Sequence, residues 1–227
     1  MLSHLDQVVL LLFGPPGCGK GTQSRLIVDW LHIPAISTGD MLRAEIKRGS
    51  ELGKAAQSTI ASGGLVSDEI VNQILKARIA QTDCAGGFIL DGYPRTVEQA
   101  EFLDRTLGQN GIGRPIVLHF DVPNDALIAR MTSRRFCPRC SRTYNLLSVR
   151  PKSTGKCDDD GETLIIRKDD SEEVVSERLR MYNDLTRPIL AHYSDYHHIR
   201  GDRSPGYIFE EITGILEPVV LGNGRGR

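Results

Sequence analysis

The chain has 227 residues, of which 40% are hydrophobic and 25% charged, and its 28 basic and 29 acidic side chains leave a net charge of -1. This length fits one α/β domain with insertions, long enough to bury most of the apolar surface of the unfolded chain. The balanced charge provides no bulk attraction to nucleic acid or to an anionic membrane, so we expect neither as a partner. Any anion site must be local.

The N-terminal residues and the cysteines of the chain predict its cellular compartment. Residues 1–6 contain no basic segment ahead of the apolar run at 8–13, which fits neither a secretory signal nor a membrane span. Five cysteines are an odd number, and three of them cluster in one region, which indicates a metal rather than a disulfide framework. These features predict a cytoplasmic protein. Residues 221–227 are polar and glycine-rich and are predicted to fray.

Apolar runs alternate with helical periodicity along the chain, which is the pattern of a parallel α/β sheet. Strands are predicted at 8–13, 88–91, 116–121 and 198–200. Helices are predicted at 20–31, 40–48, 52–62, 67–81, 97–107, 125–135 and 171–193, with Ser67, Thr96 and Asn124 as capping residues. Residues 136–167 lose the helical pattern and are predicted to form a small inserted domain.

The strongest motif follows the first strand and reads Gly14-Pro-Pro-Gly17-Cys-Gly19-Lys20-Gly21-Thr22-Gln23. A glycine-rich turn between a strand and a helix presents successive backbone N–H groups to phosphate oxygens, and the helix dipole adds positive potential. An ordinary strand-turn-helix joint is the alternative, but strand, spacing, lysine and helix start all coincide. The stretch therefore predicts a phosphate-binding loop.

This loop departs from the general pattern in two places. The residue after Lys20 is Gly21, and the hydroxyl comes one place later at Thr22, so Mg²⁺ would be held through phosphates, waters or carboxylates. Cys18 also lies inside the loop, and we expect the N–H dipoles and Lys20 to lower its pKa and make it reactive.

Two further stretches place polar groups next to glycine. The first is Ser37-Thr-Gly-Asp-Met-Leu-Arg43, which suits a nucleoside monophosphate but in isolation fits an ordinary helix N-terminus better. The second is Leu90-Asp-Gly-Tyr-Pro-Arg-Thr96, with Gln99 one helical turn beyond, at the carboxyl end of a predicted strand. Ligands bind at that edge of open α/β sheets, although a simple Gly-Pro turn is the alternative.

Arginines are concentrated in the second half of the chain. Arg130 and Arg134 are four residues apart and are predicted to share one helical face, and Arg167 and Arg178 flank a pair of aspartates. Like charges on one face repel each other, which favours an anion between them, whereas a solvated basic face is the alternative.

The cysteine cluster has the spacing of a metal site. Cys137, Cys140 and Cys157, with Asp160, form the pattern C-x₂-C-x₁₆-C-x₂-D. Two such knuckles build a tetrahedral site, and three thiolates with one carboxylate suit a structural Zn²⁺. Asp158 and Asp159 are rivals for the fourth position, although the spacing favours Asp160, and free thiols are the alternative to a metal.

In this order along almost the whole chain, the motifs resemble those of adenylate kinases, in the bacterial long form with a zinc-binding lid. The matching stretches also include Gly64-Leu-Val-Ser-Asp68 and Arg167-Lys-Asp-Asp170. The resemblance implies an α/β fold of the P-loop NTPase type, with a parallel five-stranded sheet flanked by helices. It also implies two inserts, an AMP-binding one at 37–66 and a zinc lid at 133–170.

The family reaction is the reversible transfer of the γ-phosphoryl group of ATP to AMP with Mg²⁺, giving two ADP. The resemblance implies ATP contacts from Gly17, Cys18, Gly19, Lys20, Gly21, Thr22, Arg130, Arg134, Thr143, Tyr144 and Ser204. It implies AMP contacts from Thr38, Arg43, Gly64, Leu65, Val66, Gly92, Tyr93, Pro94, Arg95, Gln99, Arg167 and Arg178. The catalytic set would be Lys20, Arg95, Arg130, Arg134, Arg167, Arg178 and Asp91, with Asp40 and Asp91 orienting waters around Mg²⁺. A monomer is expected.

Two other functions compete with this interpretation. A kinase for UMP or CMP is the nearest, but Thr38 and the amide of Gln99 favour adenine. A nucleotide-dependent switch that binds a partner through its P-loop and zinc ribbon belongs to a different class, and it would not need the second phosphate site.

Overall fold

A computed structural model describes residues 7–62 and 64–222, so the predictions for residues 1–6 and for most of the glycine-rich tail lie outside the described residues. The strands are β1 Val8–Phe13, β2 Ala35–Ser37, β3 Gly87–Asp91, β4 Ile116–Asp121, β5 Arg134–Phe136, β6 Thr143–Asn145 and β7 Tyr196–Arg200. Five of them form a parallel sheet in the order β2-β3-β1-β4-β7. The predicted parallel five-stranded sheet is confirmed.

Helices surround this sheet. They are α1 Lys20–Leu31, α2 Thr38–Arg48, α3 Glu51–Ala61, α4 Asp68–Ile79, α5 Val97–Gln109, α6 Asn124–Thr132, α7 Glu172–Met181, α8 Ile189–His192 and α9 Pro205–Gly222. Within 7–62 and 64–222, no helix combines the length and the apolar character needed to cross a membrane.

Both faces of the sheet are buried. Along β1, Val9, Leu11 and Phe13 pack into one apolar cluster, whereas Leu10 and Leu12 pack into a second cluster on the opposite face. Side chains alternate across a strand, and a sheet covered by helices on both faces needs apolar residues at every position. This burial explains the uninterrupted apolar run that predicted β1.

Several predicted boundaries were wrong. The strand β2 was missed because it has three residues and no apolar run. The helix predicted at 125–135 ends at Thr132, and Arg134 and Arg135 belong to β5. The helix predicted at 171–193 is divided into α7, a π-helical segment Tyr182–Thr186 and α8.

The three predicted caps have different outcomes. Thr96 caps α5 as predicted, because its side chain accepts a hydrogen bond from the backbone N–H of Gln99. Ser67 holds the N-cap position of α4 without a side-chain bond. Asn124 does not cap α6, since it is the first helical residue and Pro123 precedes it.

The topology brings the three nucleotide motifs to one edge. Because the strands are parallel, their carboxyl ends meet there, and the residues after β1, β2 and β3 become neighbours. Helices α2 and α3 lie in the stretch 37–66, and the antiparallel hairpin β5-β6 lies in 133–170.

Candidate active site

The loop after β1 has a backbone that suits glycine. Gly14, Gly17 and Gly19 have positive φ angles of 150°, 85° and 106°. A side chain at Gly14 would place its Cβ 2.6 Å from the carbonyl oxygen of Phe120. The N-cap of α1 is Gly19, so no side chain caps the first-turn N–H groups. These groups face the loop and can bind an anion.

Lys20 lies across this loop. Its Nζ donates to the carbonyl oxygens of Gly14, at 2.7 Å, and Pro15, at 3.0 Å. The carboxylate of Asp91 stands nearby, since a Cβ added to Gly21 would lie 3.7 Å from Asp91 Oδ2. Burial raises the pKa of Asp91, and the charge of Lys20 only partly offsets this. A carboxylate therefore stands beside the position where other P-loops have their metal-binding hydroxyl.

A cavity lies between α2, α3, α4 and the carboxyl end of β3. It is lined by nine residues predicted to contact AMP, namely Thr38, Arg43, Gly64, Leu65, Val66, Gly92, Arg95, Gln99 and Arg178. Leu42, Ile60 and Val71 extend its apolar wall. The nine residues predicted to contact AMP therefore line one pocket with polar and apolar walls. This composition is usual for a site that binds a small molecule.

Three residues predicted to contact AMP are not among those lining this cavity. Tyr93 is buried, and its hydroxyl donates to Asn72 Oδ1 at 2.5 Å. Pro94 follows it through a cis peptide bond and is also buried. Arg167 lies farther toward the β5-β6 hairpin, where its guanidinium stacks 4.1 Å above the ring of Phe136.

Four arginines and three aspartates meet beside the cavity. Arg43 donates to Asp40, Arg134 forms a short bidentate pair with Asp170, and Arg178 donates to Asp169 at 2.9 Å. Arg167 approaches Asp40 at only 3.8 Å, and its buried Nε has no hydrogen-bond partner among residues 7–62 and 64–222. The guanidinium groups outnumber the carboxylates here.

Burial makes this positive charge unfavourable. The pKa of Arg167 falls to about 10 because of burial and the nearby charges of Arg43 and Arg134. Burial, with the charge of Arg134, also lowers the pKa of Arg178 to about 10. A polyanion placed among these groups would remove the imbalance.

The three cysteines and Asp160 form the predicted cluster. One ligand atom from each residue lies within 4.8 Å of all the others. Cys140 Sγ is 3.5 Å from Cys157 Sγ, and Cys137 Sγ is 3.4 Å from both Asp160 oxygens. Thiolates bound tetrahedrally to zinc at about 2.3 Å lie about 3.8 Å apart, so the donor set fits this metal.

Both halves of the cluster share one turn geometry. In the first, Ser141 N donates to Cys137 O, and in the second Gly161 N donates to Cys157 O, each at 3.0 Å. Ser141 and Gly161 have similar positive φ angles of 64° and 71°. The repeated turn places Asp160 where the first half has Cys140, which supports Asp160 as the fourth ligand.

The rival aspartates are engaged elsewhere. Asp158 accepts from the backbone N of Lys152 at 2.8 Å, and Asp159 accepts from Arg25 at 2.7 Å and from Arg142. Neither belongs to the cluster of ligand atoms.

Comparison with known proteins decides the family. The model of the adenylate kinase family matches residues 12–198. Adenylate kinases of Syntrophomonas wolfei and Oceanobacillus iheyensis are each 46% identical over 211 residues, covering 92% of this chain and 98% of theirs. That of Methanothrix thermoacetophila is 42% identical over 210 residues, covering 91% of this chain and 97% of its own.

The chain belongs to the adenylate kinase family. The resemblance drawn from its motifs is therefore confirmed, whereas the role of each site residue stays a prediction.

The predicted lowering of the Cys18 pKa is wrong. Its side chain is 1% exposed, and burial raises the pKa of its thiol, with only partial compensation by Lys20. A thiol reacts as its thiolate and needs access to the reagent, and Cys18 lacks both conditions.

Two of the remaining residues predicted to contact ATP, Arg130 and Ser204, lie at the loop that begins at Gly201. Arg130 Nη1 donates to Gly201 O at 2.8 Å, and Ser204 precedes α9 in the loop that follows Gly201. A Cβ on Gly201 would lie 2.9 Å from Cys18 O, so this loop touches the phosphate loop. Because α6 ends before Arg134, Arg130 and Arg134 do not share the predicted helical face.

Thr143 and Tyr144 lie in the β5-β6 hairpin. The Tyr144 side chain is 1% exposed, and its hydroxyl contacts Cys157 Sγ at 3.5 Å and accepts from Asp158 N at 2.6 Å. That hydroxyl is therefore unavailable to ATP. The groups of this hairpin that could still contact ATP are the backbone at Tyr144 and the exposed Thr143.

Sequence reasoning missed two polar residues of this family member. Asp68 binds Gln99 and Thr96, and Arg25 of α1 joins Asp159 beside the cluster of three cysteines and Asp160. Asp68 ends the motif Gly64-Leu-Val-Ser-Asp68, but a carboxylate at a helix start looks the same in sequence whether or not its side chain has a hydrogen-bond partner. The pair of Arg25 and Asp159 is separated by 134 residues and leaves no local pattern.

We predict that N-ethylmaleimide leaves Cys18 unmodified in the folded protein at pH 8, because the thiol is buried and protonated. Peptide mass spectrometry after brief exposure measures this, and the same labelling in urea is the control that must modify Cys18. Stoichiometric labelling of Cys18 without unfolding would contradict the burial.

Proposed function

We propose that this chain catalyses the reversible transfer of the γ-phosphoryl group of Mg·ATP to AMP, giving two ADP. The observation that carries the proposal is the second site. A cavity with polar Thr38, Arg43 and Gln99 is lined by none of residues 14–23 of the phosphate loop, so it offers a separate site, and a nucleotide switch would not need one. The family membership supports the same reaction.

The donor would bind at the loop after β1. Gly17–Thr22 would surround the β- and γ-phosphates, and Lys20 would leave its two carbonyl partners to reach them. Arg130, Arg134, Thr143, the backbone at Tyr144 and Ser204 would complete the ATP contacts, as the family motifs imply.

The acceptor would bind in the cavity. Arg43, Arg95, Arg167 and Arg178 would neutralise the phosphate of AMP, and the glycine-bounded wall at Gly64, Leu65 and Val66 would cover the nucleoside. Thr38, Gly92 and Gln99 would hold the base and ribose side, while buried Tyr93 and Pro94 would shape the turn.

Transfer of a phosphoryl group passes through a loose transition state and needs little covalent work from the protein. Catalysis would therefore depend on aligning the two nucleotides and neutralising their charge. Lys20, Arg95, Arg130, Arg134, Arg167 and Arg178 supply that charge, and no general base is required. The imbalance between arginines and aspartates in the cluster supports this role.

Mg²⁺ would accompany ATP and offset the charge of its phosphates. Hard oxygen ligands suit this ion, and the carboxylate of Asp91 stands next to Gly21, where no hydroxyl is present. Asp91 would orient its water ligands. Asp40 is a weaker candidate than expected, since it already pairs with Arg43 and Arg167.

We further propose that Cys137, Cys140, Cys157 and Asp160 hold a structural zinc in a lid at 133–170, and that 37–66 forms the AMP-binding insert. A closed four-ligand site leaves no position for substrate. The lid core contains four buried residues, so a metal would supply much of its stability. A cytoplasmic monomer fits the reduced cysteines and the ordinary composition.

A coupled assay for ADP formation tests the reaction. With Mg·ATP we expect turnover to be fastest with AMP, and we expect Lys20→Ala to lower the rate about 10²- to 10³-fold because it removes a donor to the transition state. The matched control is Lys54→Ala, an exposed lysine paired with Glu51 on α3. Preference for UMP or CMP would select the pyrimidine kinase, and no turnover with any acceptor would select the switch.

Metal analysis of the purified protein tests the lid. We expect near-equimolar zinc in the wild type and in Asp159→Ala, and a clear loss of zinc in Asp160→Ala, because only the second change removes a ligand. Full zinc retention in Asp160→Ala, or absence of zinc from the wild type, would refute the assignment.

A further inference from the structure

Both ends of the Gln99 side-chain amide are held by the protein. Its Oε1 accepts from the backbone N of Arg95, and its Nε2 donates to Asp68 Oδ1, each at 2.7 Å. The Gln99 side chain is 2% exposed and lines the cavity. Asp68 is the first residue of α4, so a neighbouring helix helps to fix this amide.

The chemistry of these partners determines which way the amide points. A backbone N–H can only donate and an ionised carboxylate can only accept, so rotating the amide by 180° would place donor against donor and acceptor against acceptor. Asp68 is itself oriented, because its Oδ2 accepts from Thr96 Oγ1 at 2.5 Å. The two contacts lock one orientation.

The locked amide keeps one lone pair on its oxygen and one N–H on its nitrogen for a ligand. A glutamine amide can bind adenine through such a pair, accepting from the 6-amino group and donating to N1, which carries no proton in adenine. A base with a 6-oxo group would place its oxygen against Gln99 Oε1, lone pair to lone pair. Only a rotated amide would accept it.

We propose that Asp68 is a positioning residue that makes the acceptor site select a 6-amino over a 6-oxo purine, by preventing rotation of the Gln99 amide. This inference rests on the proposed function, since it assumes that Gln99 reads the base of the acceptor. Asp68 does not line the cavity and acts through Gln99.

A purely structural role for Asp68 makes a different prediction. A carboxylate in the first turn of α4 interacts favourably with the helix dipole, and its loss would lower stability without changing base selection. The ratio of kcat/KM for AMP to that for IMP separates the two roles, because IMP differs at the 6-position and, through its N1 proton, at the adjacent ring nitrogen.

The experiment measures this ratio for the wild type and for Asp68→Ala, Asp68→Asn and Asn72→Ala. Asp68→Ala removes the acceptor, and we expect the ratio to fall at least tenfold, the effect of losing a hydrogen bond to a charged group. Asp68→Asn loses the charge but keeps an oxygen for Gln99 Nε2, so its ratio should stay within about threefold of the wild type. Asn72→Ala removes a different hydrogen bond of α4, to Tyr93, and should leave the ratio unchanged.

An unchanged ratio in Asp68→Ala, or an equal fall in Asp68→Asn, would overturn the inference. If Asp68→Ala does not fold, Asp68→Ser replaces it, since serine is well tolerated at a helix start and its hydroxyl ends short of Gln99. A wild type that does not use AMP would instead contradict the proposed function, so the two failures are distinguishable.

Discussion

Partly buried positive charge governs both the packing and the chemistry at the carboxyl edge of the sheet. Arg43, Arg134, Arg167 and Arg178 converge at the carboxyl edge of the sheet with fewer carboxylates than guanidinium groups. Taking such charges out of water is unfavourable unless each is paired. Their aspartate partners hold them in place, and the phosphates of two nucleotides would complete the neutralisation. Nucleotide binding and catalysis would both use this excess of guanidinium groups over carboxylates.

The fold gathers this charge from distant parts of the chain. The parallel sheet brings the ends of β1, β2 and β3 together, while Arg134 and Arg167 come from the stretch 133–170 that carries the three cysteines and Asp160. Among the described side chains of that stretch, the hydrophobic core has four buried residues, two of them cysteines of the cluster. Such a small core needs a further constraint, and a metal held by two turns of the same geometry would provide it.

The sequence predicted the features that depend on local pattern. The β1 run, the phosphate loop and the cysteine spacing each follow from short-range geometry, and the structure places them as expected. The lowered pKa expected for Cys18 and the shared face of Arg130 and Arg134 were wrong, because burial and the end of a helix depend on tertiary packing. The bond from Gln99 to Asp68 was missed for the same reason.

The stability of Arg167→Met without nucleotide measures what the buried charge of Arg167 costs the fold. Methionine keeps packing against Phe136 but removes a charge whose pKa is lowered to about 10, so urea unfolding should give a free energy equal to or above that of the wild type. Phosphoryl transfer should fall about 10²- to 10³-fold. The exposed Arg180→Met is the control and should change neither quantity. An Arg167→Met protein that is less stable than this control by more than about 1 kcal/mol, or that keeps its turnover, would contradict the account.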